Sequence, residues 1–327
     1  MPSWSRSPAE TDYCPTVVDP ARTVQRFAAF SASATGGNPA GVVLDAADIG
    51  DQTMQRIAAD VGYSETAFLN GGSPSPSAPI RVRYFSPEVE VAFCGHATIA
   101  AGVALGEAFG AGAYPLLTNA GPVNVEVRQV EGAFVATLES PPARAEPLPA
   151  SLLDDLICTL GWRVDDLHPG MPPMVGFAGN RHPILVAAHL DRLASLSYDF
   201  PALQSLCRQH DWTTIHLTTP TGPSRWRARD PFPIGGVVED PATGAAAAAF
   251  GGYLRALRMA HPGDRFTIDQ GVEMGRPSRL DVQILDTTVL VSGTATRLDA
   301  TPSLGTQRPS DHHPPLTDRH ARTRDRR

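Results

Sequence analysis

The chain carries one pattern twice, and that repetition limits its fold more than any single motif does. YFSPEVEVAFCGHATIAAGVAL is followed, after a gap, by TNAGPVNVEVRQVEGAFVATLES. Further on, PFPIGGVVEDPATGAAAAAFGGYL is followed by IDQGVEMGRPSRLDVQILDTTVLVSGT. Each copy runs strand, Pro turn, acidic residue, short Gly or Thr turn, wholly apolar helix, then a Gly-led hairpin. Pro87 matches Pro233, and Gly121 matches Gly271. The helices, HATIAAGVALGEAF and TGAAAAAFGGYLRAL, have no polar face, so each must be enclosed on every side. In a chain of 327 residues, two copies predict two related domains, each with strands wrapped around a buried Ala-rich helix.

Strand signals dominate elsewhere. TVQRFAAF, AGVVLD, ETAFL, IRVRYF, NVEVRQ, AFVATLE, HPILVAAH, TIHLTT, FTIDQ, LDVQIL and TVLVSGT show period-2 alternation or β-branched richness. DQTMQRIAADVG is an amphipathic helix, and SLLDDLICTLG and PALQSLCRQHD complete the helical set. The class is therefore α+β, with strands outnumbering helices. The Pro-rich SPPARAEPLPAS reads as the linker, giving a first domain over residues 23–143 and a second over 144–304. The last strand, near residues 288–300, is available to complete the first domain. Residues 1–22 read as a disordered extension and residues 305–327 as a disordered basic tail, with six Arg against three Asp. The tail histidines His312, His313 and His320 offer chance metal affinity, not a functional site.

Several chemistries are excluded or unsupported. All 27 basic residues are arginine, so no lysine Schiff base and no Walker A lysine is available. The net charge of −7, without a basic patch, speaks against nucleic-acid binding. No G-x-G-x-x-G, H-E-x-x-H, C-x-x-C or G-x-S-x-G is present, so neither a nicotinamide or flavin cofactor, a metal nor a serine nucleophile is expected. Four dispersed cysteines, Cys14, Cys94, Cys158 and Cys207, fit reduced thiols. The longest apolar stretch, residues 97–114, contains Glu107 and reads as a core helix, and the first residues lack a secretory h-region. The expectation is a cytoplasmic protein without a cofactor or a membrane partner.

The two helix starts are the informative places. Cys94-Gly95-His96-Ala97-Thr98 and Asp240-Pro241-Ala242-Thr243-Gly244 each place free backbone N–H groups at the head of a buried helix. A pseudo-two-fold axis would bring them face to face as a receptor for carboxylate or enolate oxygens. The competing reading is that Gly and Thr simply cap helices. Glu65, at a strand entry, is a candidate proton carrier or an ordinary strand-entry glutamate. His96 binds a substrate carboxylate or assists proton transfer, unless it only caps a helix, and Asp240 orients a substrate amine or hydroxyl, with the same alternative. Cys94 reads as a buried thiol more readily than as a nucleophile.

These motifs resemble the phenazine-biosynthesis PhzF-like isomerase family, within the diaminopimelate epimerase-like superfamily. Gly37-Asn38-Pro39-Ala40, Tyr63-Ser64-Glu65-Thr66-Ala67-Phe68 and Glu90-Val91-Ala92-Phe93-Cys94-Gly95-His96-Ala97-Thr98 carry it in the first half. Gly179-Asn180, Glu239-Asp240-Pro241-Ala242-Thr243-Gly244 and Gly275-Arg276-Pro277-Ser278 carry it in the second, so it spans roughly residues 24–300. The resemblance implies two pseudo-symmetric domains, each a β-barrel-like sheet wrapped around a central apolar helix, with the active site between them. It also implies a homodimer without a cofactor, acting on a small carboxylate in specialised, antibiotic-type biosynthesis. Glu65 would move a proton between carbons of an unsaturated ring acid, with His96 and Asp240 as acid/base partners in contact with substrate. Asn38, Cys94, Gly95 and Ala97 would line the site from the first domain, and Thr243, Gly244 and Ala245 from the second.

The chain departs from the family in two places. Ala245 stands where a substrate-contacting serine is usual, and Asp230-Pro231-Phe232-Pro233 alters the usual Phe-to-Pro spacing. Superfamily racemases use a cysteine at each helix start; here Cys94 has no counterpart, which disfavours amino-acid racemisation. A lyase or cyclase sharing the proton abstraction, and a non-catalytic binding protein on the same fold, remain the alternatives.

Overall fold

The computed structural model describes residues 24–70 and 78–298. The extensions read as disordered, together with Cys14 and the tail histidines, lie outside the described residues. The first half contributes β1 (Gln25–Ala29), β2 (Asn38–Val43), α1 (Asp51–Val61), β3 (Glu65–Asn70), β4 (Ile80–Phe85), β5 (Glu90–Val91), α2 (Gly95–Phe109), β6 (Gly112–Thr118), β7 (Gly121–Val130) and β8 (Ala133–Glu139). The second half contributes β9 (Arg144–Pro147), α3 (Ala150–Thr159), β10 (Met174–Phe177), β11 (Arg181–Val186), α4 (Leu190–Ala194), α5 (Phe200–His210) and β12 (His216–Gly222). It continues with β13 (Arg225–Phe232), β14 (Val237–Asp240), α6 (Gly244–Ala256), β15 (Arg265–Gln270), β16 (Ser278–Ile284) and β17 (Val289–Arg297).

Pairing closes the first barrel through eight strands in the order β1, β2, β3, β4, β6, β7, β8, β17 and back to β1. The second barrel runs β9, β10, β11, β12, β13, β15, β16 and β17. It closes where the chain leaves β8 beside β17: Ser140 N–H donates to Val289 O at 2.9 Å and Ala143 N–H to Thr287 O at 2.8 Å. β17 thus serves both barrels, its early residues pairing with β16 and its last three with β1. The internal repeat is visible in strand direction. The parallel pairs β2–β3 and β4–β6 recur as β11–β12 and β13–β15, and α2 and α6 each fill the second crossover.

An eight-stranded barrel has an interior only about wide enough for side chains. A helix can occupy it only if small side chains predominate on it, and α2 and α6 are rich in Gly and Ala, with larger residues such as Phe250 packed among Trp226 and Phe266. Residues 96–106 of α2 are buried without a break, as are residues 246–254 of α6. A Cβ on Gly102 would come within 2.8 Å of both Ala136 Cβ and Val125 Cγ1. Thr98, the one hydroxyl in the middle of this apolar run, is satisfied by the Cys94 carbonyl at 2.6 Å and by Tyr84 OH at 2.7 Å.

Several segments differ from the sequence expectation. Residues 97–114 read as one core helix, but α2 ends at Phe109 and residues 112–118 form β6. The stretch read as a linker contains β9, which pairs with β10, and its backbone at Ala143 and Arg144 packs against Gly252 of α6. RWRARDPF, which is not among the strand signals above, is β13. Its inward residues are Trp226, Ala228 and Asp230, and Asp230 is buried against His216 Nδ1 at 2.8 Å. A buried carboxyl is tolerated there because it has a hydrogen-bond partner in the core.

Gly102→Val should destabilise the fold by about 1–3 kcal/mol through overpacking. Gly112→Ala, where nothing lies within 4 Å of the new Cβ, should stay within about 0.5 kcal/mol. Urea denaturation of the two variants beside the wild type checks the contrast.

Candidate active site

The N-termini of the two central helices meet. A Cβ on Gly95 would lie 3.9 Å from Gly244 Cα and 4.0 Å from Ala245 N. The N-cap residues are Cys94 and Thr243, and neither side chain makes a capping hydrogen bond to its own helix. Both are engaged elsewhere in the site, so the reading of these turns as simple side-chain caps does not describe them. Two uncapped helix heads leave first-turn N–H groups and positive dipole ends available to an anion.

On the first-barrel side, Glu65 opens β3 with its side chain 15% exposed. Its Oε2 lies 3.3 Å from His96 Nε2 and accepts from the Cys94 thiol at 3.4 Å. Ser64 Oγ stands 3.3 Å from His96 Nε2, and a ring nitrogen of His96 bonds the Pro39 carbonyl. Burial lowers the His96 pKa against the opposing pull of Glu65, which favours a neutral imidazole. Burial, reinforced by the Glu65 charge, pushes the Cys94 thiol well up. Cys94 is thus a protonated donor in the site and not an activated nucleophile.

On the second-barrel side, Asp240 ends β14. Thr243 Oγ1 donates to its Oδ2 at 2.6 Å, and Asn38 Nδ2, from the first barrel, donates to its Oδ1 at 2.7 Å. Burial, with the Glu65 and Asp230 charges adding, pushes Asp240 up to about 8 despite those two hydrogen bonds. Asp240 therefore carries its proton at neutral pH, and its coupling to Glu65 puts the two acids within electrostatic reach. Its neighbour Glu239 points the other way, into a buried pair with Arg229, whose Nε donates to Glu239 Oε2 at 2.8 Å. That alternation along a strand gives Glu239 a structural task and turns Asp240 toward the helix heads.

The remaining motif residues hold the barrels in register. Arg276 donates to Gly37 O at 2.8 Å and Gly36 O at 3.0 Å, and Gly37 N–H donates to Pro277 O at 3.1 Å. Gly37 sits at φ +72°, and a Cβ there would meet Ala29 O at 2.6 Å, so the turn needs glycine. Ala97 is buried in the first turn of α2, and Ala245 is half-buried in that of α6. Sequence reasoning missed two contributors. Ser64, beside His96, has no sequence signal beyond its place between Tyr63 and Glu65. Gln270, buried at the end of β15, accepts from Thr243 N–H at 3.1 Å and donates to Asp240 O at 2.7 Å. Its only sequence signal is its place before Gly271, the glycine shared by both copies.

Among known proteins, the family model for phenazine biosynthesis-like proteins, PhzC-PhzF, matches residues 27–300. An uncharacterized isomerase from Deinococcus radiodurans is 34% identical over 79% of this chain and 85% of its own length. The trans-2,3-dihydro-3-hydroxyanthranilate isomerase of Pseudomonas aeruginosa is 32% identical over 77% of this chain and 86% of its own. A solved PhzF-family phenazine biosynthesis protein from Bacillus anthracis is similar at 26% identity and TM-score 0.75, covering 84% of this chain and 96% of that one. A probable proline racemase from Agrobacterium radiobacter, at 13% identity and TM-score 0.60, covers 88% of this chain and 94% of that one and shares the diaminopimelate epimerase-like fold. Family model, relatives and barrel architecture agree: the chain is an isomerase belonging to the phenazine biosynthesis-like PhzC-PhzF family.

Proposed function

We propose that the chain is a cofactor-independent isomerase that moves a proton within a small unsaturated, cyclic amino or hydroxy acid, with Glu65 as proton carrier. The observation supporting this reading is a sheltered carboxylate at the point where two uncapped helix heads meet, coupled to His96 and Asp240. The substrate carboxylate sits against the first-turn N–H groups of α2 and α6. Glu65 takes a proton from a carbon acidified by conjugation to that carboxylate. The electron pair moves into the conjugated system, and the charge that develops on the carboxylate oxygens faces the two helix heads. Glu65 then delivers the proton to the far carbon, and the double bond has shifted. His96 orients the Glu65 carboxylate, and protonated Asp240 donates a hydrogen bond to a substrate oxygen or amine. The proposal extends to a cytoplasmic homodimer in specialised-metabolite biosynthesis, for which sedimentation at twice the mass of one chain is the check.

With trans-2,3-dihydro-3-hydroxyanthranilate in deuterated water, the wild type should abolish the ring C3 proton signal, and Glu65→Gln should slow this by about 10²–10⁴-fold. Proton NMR reads it, and the product mass separates isomerisation from loss of water by a lyase. Substrate unchanged by the wild type would remove this compound from consideration.

Asp240 also makes stability depend on pH. An acid whose folded pKa is raised binds its proton more tightly in the folded state, so its contribution is full below about 4 and is lost as pH rises through about 8. Asp240→Asn has no such loss. Measured by urea unfolding, its stability relative to the wild type should rise between about pH 5 and about pH 9.

A further inference from the structure

Glu65, Cys94 and His96 form a triangle of three different donor atoms. Glu65 Oε2 lies 3.3 Å from His96 Nε2 and 3.4 Å from Cys94 Sγ, and Sγ lies 3.9 Å from Nε2 and 3.4 Å from Nδ1. It is the one His, Cys and carboxylate cluster of this kind among the described residues. We propose that this triangle is also a binding site for Zn²⁺, and that the ion switches the enzyme off by occupying the oxygen that carries the proton.

Zinc bonds of about 2.3 Å to sulfur and about 2.0–2.2 Å to nitrogen and oxygen put neighbouring ligand atoms of a tetrahedron about 3.3–3.6 Å apart. Two edges of the triangle already have that length, and the third needs only a small turn of the imidazole. The donor set of one thiolate, one imidazole and one carboxylate suits Zn²⁺ better than Mg²⁺ or Ca²⁺, which take oxygen ligands. Three protein ligands leave a fourth position for water or substrate. Cys94 and His96 are fixed at the head of α2, as its N-cap and second helical residue. On binding, a Zn–S bond forms as the thiol proton passes to solvent. Glu65 and His96 each donate a lone pair, and nothing is oxidised or reduced. Two anionic ligands and a divalent cation leave the buried cluster neutral. The inhibition rests on the role proposed above for Glu65; the binding does not.

The test titrates the full-length protein with Co²⁺ as a spectroscopic probe, then with Zn²⁺ against a chromophoric chelator. One ion per chain is expected, with a thiolate-to-cobalt charge-transfer band that Zn²⁺ abolishes. Cys94→Ser should lose the band and bind Zn²⁺ more than about 100-fold more weakly, since even outer-shell partners of a metal are worth 10–100-fold. Circular dichroism establishes that the variant is folded. Glu65→Gln supplies a second reading: the band stays while Zn²⁺ binding weakens. No band in the wild type, or equal Zn²⁺ affinity in Cys94→Ser, would overturn the site and assign any binding to the tail histidines, which that variant keeps. Proton exchange in the wild type should cease at one equivalent of Zn²⁺ and return with a chelator. Tight binding at Cys94 without loss of exchange would overturn the inhibition, and the assignment of Glu65 as carrier with it, while supporting the metal site.

Discussion

A helix without a polar face must be surrounded, and an eight-stranded barrel surrounds it only where Gly and Ala on the helix let the strands close in. Everything else in this protein follows from meeting that condition twice. Within the barrel the helix backbone satisfies itself, but its first turn cannot, because no preceding residues supply acceptors for those N–H groups. The helix head is therefore a polar spot that an apolar plug cannot avoid, as is its tail, where for α2 the Tyr114 hydroxyl meets the Leu105 and Gly110 carbonyls. Sharing β17 between the barrels fixes how they sit together, and Gly95 comes to face Gly244. The site lies where the folding problem leaves unsatisfied donors.

The scaffold is repeated, but the chemistry is not. Counting from the N-caps, Cys94 corresponds to Thr243, His96 to Ala245 and Val91 to Asp240. Glu90 and Glu239, each four residues before its cap, fall in equivalent places. Both pair with an arginine of the preceding strand, Glu90 with Arg83 at 2.7 Å and Glu239 with Arg229. The structural half of each hairpin is thus kept in both copies, while the cleft-facing half differs. The first copy offers an imidazole and a thiol beside Glu65. The second offers a protonated carboxyl held by Asn38 and Thr243, with the buried Asp230 charge behind it across the β13–β14 pairing.

Much of the fold was legible because its strongest signals are local. The apolar runs of α2 and α6 can be read residue by residue, and so can strands such as IRVRYF. β13 was illegible for a specific reason: Asp230 sits in the core hydrogen-bonded to His216 on the neighbouring strand, 14 residues away, and that partner is found only by pairing the strands. The site shows the same division. Asp240 and His96 stand out beside their helix starts, whereas the contact of Glu65 with Cys94 spans 29 residues and that of Asn38 with Asp240 spans 202. Gln270 and Ser64 act through hydrogen bonds to groups that only folding brings near. Their residue types carry no pattern of their own.

The asymmetry between the copies also bears on which proton transfer the cleft suits. Inverting a stereocentre needs two groups of alternating protonation on opposite faces of one carbon, and a thiol at each helix head would provide them. Here the second head has Thr243 and Ala245, and the acid beside them holds its proton up to about pH 8. Such a group serves better as a steady hydrogen-bond donor than as the base for the reverse direction at neutral pH. Glu65 stands alone as carrier under the proposed assignment, so the proton leaves and returns on the same face of the substrate. A single carrier can reach two carbons of a flat conjugated acid from one side, but it cannot reach both faces of one carbon. Under the proposed assignment, the unequal helix heads therefore suit moving a double bond within a flat acid better than inverting a stereocentre.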